Sequence, residues 1–144
     1  MQIGTDISRA IALLEDKDVV GLPTETVYGL CANAFENDAV LKIFEVKNRP
    51  SFNPLIIHTD SLDKVKGFVT EFSEKAQLLG ETFWPGPMTL LLPKSDKVGD
   101  LVTSGSPLVA VRIPNHPLAL ELLSKLDYPL AAPSANKFGS ISPT

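Results

Sequence analysis

Short, continuously apolar runs alternate along this chain with segments in which apolar residues recur at helical spacing. Continuous apolar runs are typical of strands that are buried on both faces, and such strands need helices to cover them. The alternation therefore predicts an α/β fold in which helices cover an open sheet. The runs that we interpret as strands are residues 18–22, 55–58, 88–92, 108–112 and 129–132.

Capping residues and prolines set the limits of the predicted helices. Asp6, Asp60 and Ser73 are the expected N-cap residues, and Arg49-Pro50 stops the second helical pattern. The polar, glycine-bearing segment 96–106 is predicted to be a surface loop with little regular structure. The predicted helices cover residues 6–15, 37–47, 60–65, 73–83 and 118–126.

A polar turn, Pro23-Thr24-Glu25-Thr26, follows the first apolar run, and another apolar stretch follows the turn. We interpret this region as strand, turn and helix, because proline ends a strand ladder and threonine is a good N-cap residue. Hydroxyls and backbone N–H groups at a strand end can hold a small polar ligand. An ordinary capped helix start explains the same residues equally well.

Composition narrows the class of protein. A chain of 144 residues is expected to form one domain with its own core. A net charge of −4 argues against a domain that depends on non-specific nucleic-acid binding, although it leaves room for a local basic patch. The single cysteine, Cys31, excludes an internal disulfide and a cysteine-rich zinc site, and we interpret it as a small core residue. No apolar run reaches membrane-spanning length, so we expect a cytoplasmic protein without a membrane partner.

Four predicted strands run into polar or proline-marked segments, where open α/β sheets place their ligand crevice. We expect these segments, residues 23–26, 58–60, 112–114 and 133–136, to converge. Arg112 ends an apolar run, where a partly buried guanidinium needs a hydrogen-bonding or anionic partner from the protein or from a ligand. His58 is by default a satisfied, semi-buried histidine, and a ligand contact is the alternative.

The sequence contains neither of the glycine-rich phosphate loops, G-x-x-x-x-G-K-[ST] and G-x-G-x-x-G. Bound phosphates would therefore be held by side chains such as Lys47, Arg49 and Ser134. Each has an ordinary explanation as well: cations at a helix end complement its carbonyl groups, and Ser134 and Asn136 can cap a helix.

Six ordered segments closely resemble the YrdC/TsaC family of threonylcarbamoyl-AMP synthases, in register from about Val19 to Thr144. They are Pro23-Thr24-Glu25-Thr26-Val27-Tyr28-Gly29-Leu30, Lys47-Asn48-Arg49-Pro50, Asn53-Pro54-Leu55-Ile56-Ile57-His58, Trp84-Pro85-Gly86-Pro87-Met88-Thr89, Val109-Ala110-Val111-Arg112-Ile113-Pro114 and Ala132-Pro133-Ser134-Ala135-Asn136. The resemblance implies a YrdC-like twisted open mixed sheet with helices on its faces and a concave basic cleft.

The resemblance also implies a reaction. L-threonine and bicarbonate form a carbamate, which attacks the α-phosphate of ATP and yields threonylcarbamoyl-adenylate and pyrophosphate. Partner proteins then transfer the threonylcarbamoyl group to an adenosine of tRNA. Mg²⁺ is expected to arrive with ATP rather than in a protein cage.

Residue roles follow from the resemblance by motif. Thr26, His58 and Arg112 would hold threonine, with Arg112 pairing its carboxylate, and the backbone around Ala132 would line the same pocket. The residues expected on the nucleotide are Lys47, Arg49, Asn53, Ser134, Asn136 and Ser142. Lys47 and Arg49 are the expected catalytic residues, because two anionic reactants need neutralising and aligning more than they need a protein nucleophile.

The chain departs from the family in length, since family members continue beyond Ser142-Pro143-Thr144. We therefore expect a single YrdC-like domain, residues 1–144, that lacks the family's last strands. The alternative function is a double-stranded RNA-binding module without catalysis, which would use a local patch of Lys47, Arg49, Arg112 and Lys137. A carbamoyl-transfer role is a third hypothesis, but the proteins that have it also carry zinc-finger-like segments, which one cysteine cannot form.

Overall fold

The computed structural model describes residues 7–23, 28–47 and 54–133 of the chain. Helices and strands alternate within these ranges largely as the sequence predicts, except at β2 and α5. The helices are α1 (Ile7–Glu15), α2 (Asn37–Lys47), α3 (Leu62–Lys66), α4 (Glu74–Phe83), α5 (Asp100–Thr103) and α6 (Pro117–Ser124). The strands are β1 (Val20–Pro23), β2 (Tyr28–Asn33), β3 (Ile56–His58), β4 (Leu90–Pro93), β5 (Leu108–Arg112) and β6 (Leu130–Ala132).

The strands form one open, twisted sheet in the order β1-β2-β6-β3-β5-β4. Strands β3 and β5 are parallel neighbours, and the other adjacent pairs are antiparallel. The predicted mixed α/β fold is confirmed.

Alternation along the strands assigns the two apolar cores to opposite faces of the sheet. Ala32 and Ala131 pack in the larger core, which includes buried residues of α2, α3, α4 and α5. Their chain neighbours Cys31 and Leu130 pack in the smaller core, beneath α1 and α6. We call the first the large-core face and the second the small-core face.

The small-core face has a covered half and an open half. Helices α1 and α6 pack against its β1, β2 and β6 strands. The register continues this face onto β3, β5 and β4, because Ala132 is opposite Ile56, Ile56 beside Ala110, and Ala110 opposite Leu91. There Leu91 is 65% exposed and Leu108 is 41% exposed. We call this part the open half-face; its members are Ile56, His58, Leu91, Pro93, Leu108, Ala110 and Arg112.

One predicted helix is wrong. The stretch after the polar turn, interpreted as the start of a helix, forms β2 instead, over Tyr28–Asn33. This strand pairs antiparallel with β1, with Val20 opposite Cys31, and with β6 on its other side. A capped helix and a reversing strand can follow the same polar turn, and pairing with the distant β6 favours the strand.

Two local predictions also need correction. Ser61 rather than Asp60 caps α3, because the Ser61 hydroxyl accepts a hydrogen bond from the Lys64 N–H. Asp60 instead forms an ion pair with the Lys64 ammonium at 2.8 Å. The segment predicted as an irregular loop contains the short helix α5, which Val102 anchors in the large core. The predicted cap Asp6 lies outside the described residues, and Ser73 caps α4 as predicted.

Candidate functional site

His58 and Arg112 end two parallel neighbouring strands and lie side by side in register. Parallel neighbours in register project their side chains to the same face, about 4.8 Å apart at the backbone. The Thr59 N–H donates to the Arg112 carbonyl at 3.2 Å, which extends the pairing by one residue. Two neighbouring polar side chains therefore lie at one end of the open half-face.

Burial determines the chemistry of His58. Its side chain is 4% exposed, and Nδ1 has no hydrogen-bond partner among the described residues. Desolvation, and then the neighbouring Arg112 charge, lower the pKa of His58 to about 4, while backbone hydrogen bonds with Ile56 and Leu130 oppose the shift. The imidazole is therefore neutral at neutral pH and offers one N–H donor and one nitrogen acceptor.

Arg112 is also buried, with 8% exposure, and the loop after α4 holds it. Its Nε donates to the Gly86 carbonyl oxygen at 3.2 Å. The Gly86 N–H donates in turn to the Ile113 carbonyl at 2.8 Å. A main-chain carbonyl of the protein is thus one partner of the guanidinium that the sequence predicts to need one.

Ala132 lies on the same face as His58, two residues along the pairing of β3 with β6. It is opposite Ile56, whereas Leu130 is opposite His58. Two residues of strand separate these positions by about 7 Å. Ala132 is buried, so its backbone and methyl group can line a pocket but supply no charge.

The other predicted site residues are not placed by the structure. Lys47 is the last residue of α2, and its side chain is outside the description. Those that lie wholly outside the described ranges are Thr26, Arg49, Asn53, Ser134, Asn136 and Ser142. Their roles stay predictions.

The strand ends do not all meet at one edge. Strands β3 and β5 run the same way, so the expected meeting of residues 58–60 with residues 112–114 is confirmed. Strand β6 runs antiparallel to β3, and β1 has the direction of β6 because both pair antiparallel with β2. The carboxyl ends of β1 and β6 therefore lie at the opposite edge of the sheet.

Cys31 is a core residue, as predicted. It is fully buried, and burial raises the pKa of its thiol far above the usual range. Such a thiol is unreactive at neutral pH.

Sequence reasoning missed the role of Gly86, which it treated as part of a helix stop and a family motif. A Cβ on Gly86 would lie 2.6 Å from the Phe83 carbonyl oxygen, which explains why glycine is needed there. The available sequence signal was a proline-flanked glycine after a helix, but its contact with Arg112 spans 26 residues of chain.

Within residues 7–23, 28–47 and 54–133, no helix has the length and apolar character needed to cross a bilayer. The same part of the chain contains no cluster of three or more His, Cys, Asp or Glu residues suited to a metal ion.

Comparisons with known proteins agree with this fold. Threonylcarbamoyl-AMP synthase of Bacillus subtilis is 51% identical over 139 residues, covering 96% of this chain and 40% of that protein. Threonylcarbamoyl-AMP synthase of Xanthomonas axonopodis pv. citri is 35% identical over 138 residues, covering 93% and 73%. The solved structure of Pyrococcus abyssi Sua5 complexed with L-threonine is 48% identical, with a TM-score of 0.86, and the match covers 90% of this chain and 38% of that one.

The chain thus spans about 40% of the length of the B. subtilis relative. A family model described as "Telomere recombination", Sua5_yciO_yrdC, matches residues 12–144. The match covers most of the chain, including both strands that carry His58 and Arg112. The chain belongs to the Sua5/YciO/YrdC family.

Proposed function

We propose that this chain is an L-threonylcarbamoyladenylate synthase domain, a nucleotidyltransferase. It condenses L-threonine with bicarbonate to give a carbamate and water, and transfers AMP from ATP to the carbamate with release of pyrophosphate. The observation that carries the proposal is the buried His58–Arg112 pair on an open sheet face, in a chain of this family. Two comparisons support the proposal: relatives such as the B. subtilis protein are named threonylcarbamoyl-AMP synthase, and P. abyssi Sua5 has been solved in complex with L-threonine.

Threonine fits the pair for electrostatic reasons. Its carboxylate supplies the anion that a buried guanidinium favours, and charge-assisted hydrogen bonds are among the strong ones. His58 is neutral, so it adds a polar contact without a second positive charge. In this proposal Arg112 pairs the carboxylate, His58 and Thr26 hold the rest of the amino acid, and the backbone at Ala132 lines the pocket.

The nucleotide is bound by the last residue of α2 and by residues that follow α2 and β6 in the chain. Lys47 and Arg49 neutralise the charge on the phosphates as the carbamate attacks, and Asn53, Ser134, Asn136 and Ser142 bind the rest of the nucleotide. Positioning and charge neutralisation suffice for this displacement, so no covalent enzyme intermediate is needed. Mg²⁺ accompanies ATP as a counter-ion of the phosphates.

The proposal extends to the surroundings of the site. Residues 1–144 form one YrdC-like domain, and the open half-face is the floor of a concave basic cleft. The adenylate passes to partner proteins that modify tRNA. In this role the chain is cytoplasmic and comes into contact with RNA. The names of its relatives favour this synthase over a double-stranded RNA-binding module.

Pyrophosphate release tests the proposal on the 144-residue chain. ATP, Mg²⁺ and bicarbonate are supplied with and without L-threonine, and release is expected to depend on threonine. The Arg49→Ala variant should release far less, whereas Lys75→Ala, a substitution in α4, should not change it. Release that ignores threonine, together with RNA affinity that falls steeply with salt, would favour the RNA-binding alternative.

A further inference from the structure

The loop between α4 and β4 contacts the side chain that the proposed function assigns to the threonine carboxylate. Residues 84–88 of this loop, Trp84 to Met88, form what we call the clasp. Gly86 makes two hydrogen bonds at the end of β5: its carbonyl accepts from Arg112 Nε at 3.2 Å, and its N–H donates to the carbonyl of Ile113, the residue after the strand, at 2.8 Å. One residue therefore contacts both the side chain of Arg112 and the backbone that follows it.

The clasp is held in place by Trp84. The Trp84 indole N–H donates to the Met88 carbonyl at 2.7 Å, which closes the loop on itself. The Trp84 backbone N–H donates to the Gly80 carbonyl at 3.0 Å. The Trp84 ring packs in the large core. A Cβ on Gly80 would lie 3.1 Å from the Trp84 ring, so glycine at this position leaves room for the ring. These contacts give the Gly86 carbonyl a fixed position.

A fixed acceptor on Nε sets the orientation of the whole guanidinium, because the group is planar and its N–H directions form a rigid fork. Bidentate pairing with a carboxylate depends on that orientation as well as on charge. A lysine at position 112 would keep the charge but lose the orientation.

We propose that Gly86 is a positioning residue, which through the clasp orients the Arg112 guanidinium for the carboxylate of the amino-acid substrate. This inference rests on the proposed function, since it takes threonine as the ligand of Arg112. In this role Gly86 needs no contact with the substrate. It acts through the hydrogen bond that its carbonyl accepts, and it must be glycine because a Cβ would press on the Phe83 carbonyl at 2.6 Å.

The test is a double-mutant cycle. The dissociation constant of L-threonine is measured by calorimetric titration into the 144-residue chain. Gly86→Ala displaces the acceptor, and the dissociation constant is expected to rise about tenfold, as for loss of one hydrogen bond to a charged group. In an Arg112→Lys background the same change should alter the constant by less than about twofold, because no guanidinium is left to orient. A merely structural role predicts equal effects in both backgrounds, which would overturn the inference.

A ligand without the carboxylate gives a second readout. L-threoninol replaces that group with an alcohol, so its weaker binding should be nearly equal in wild type and Gly86→Ala. Trp84→Phe keeps an aromatic ring beside Gly80 but removes the indole N–H, and it should shift threonine binding in the same direction by about threefold. This milder variant keeps the inference testable if Gly86→Ala does not fold.

Gly99→Ala is the matched control. Its Cβ would lie 2.7 Å from the Asn37 side-chain oxygen, so it also crowds an oxygen, but at the start of α5. It should lower the melting temperature and leave threonine affinity unchanged. Absence of threonine binding by the wild-type chain would refute the proposed function. Equal threonine affinity in wild type and Gly86→Ala would refute the positioning role alone.

Discussion

The covered and open halves of the small-core face use the same backbone pattern for different purposes. On the covered half, α1 and α6 exclude water, so that Leu14 of α1 and Leu130 of β6 are 1% and 0% exposed. On the open half-face, Leu91 and Leu108 are exposed, and the buried residues at its end are His58 and Arg112. The covered half therefore provides stability, and the open half provides the groups that can bind a ligand.

Removing a side chain from the covered half should have the largest effect on stability. Leu14→Ala is expected to lower the free energy of unfolding by about 3 kcal/mol, since it leaves a cavity under α1. Urea denaturation measures the change. Threonine affinity, measured at a temperature where the variant is folded, should stay at the wild-type value. A parallel loss of affinity would mean that the two halves are not separable.

On the open half-face, His58 should make stability depend on pH. Its pKa is about 4 in the folded chain and about 6.5 in the unfolded chain, so between these values the unfolded state binds the extra proton. Stability from this group is complete above about pH 6.5 and is lost as pH falls to about 4, by about 3 kcal/mol in total. Urea denaturation across this range measures the slope.

The other histidine gives the control for that slope. His116 caps α6 by accepting from the Leu118 N–H at 3.2 Å, and His116→Asn keeps a capping acceptor. His58→Gln should flatten the profile between pH 4 and 6.5 far more than His116→Asn does. A steep profile in His58→Gln would place the responsible group elsewhere.

Local patterns predicted the elements better than the connections between them. The limits of β5 and α2 follow from an apolar run and from helical spacing, and both are confirmed at residues 108–112 and 37–47. Strand β2 was mistaken for a helix because the turn before it suits either structure. Its identity depends on pairing with β1 and with β6, and β6 comes about 100 residues later in the chain.

The same limit applies to the candidate site. Residue type and strand position singled out His58 and Arg112, but their adjacency depends on β3 and β5 being parallel neighbours. The lowered pKa of His58 follows from that adjacency and from burial, and neither is readable at position 58 alone. Gly86 was missed for the same reason, since its partner is a distant side chain.

Substitutions of Arg112 should reduce threonine affinity in a chain that still folds. Arg112→Met keeps the length of the buried stem but removes the charge, and threonine affinity is expected to fall about 100-fold, as for a buried pairing that loses one charged partner. Arg112→Lys should fall between this variant and wild type. Calorimetric titration measures both. Unchanged threonine affinity in a folded Arg112→Met chain would contradict the assignment of the carboxylate to this residue.

Two adjacent leucines of β4 give the sharpest test of the difference between the two sheet faces. Substitution of Leu91 should have the smallest effect on stability. Leu91 lies on the open half-face and is 65% exposed, whereas Leu92 packs in the large core and is 7% exposed. Leu91→Thr keeps a residue that suits strands, so its free energy of unfolding should change by less than about 0.5 kcal/mol. Leu92→Thr buries a hydroxyl and loses volume, and should cost about 2 kcal/mol or more. Urea denaturation of both variants measures the difference. Similar costs at the two positions would mean that the open half-face is covered in solution, because only a covering surface could make Leu91 as sensitive as its buried neighbour.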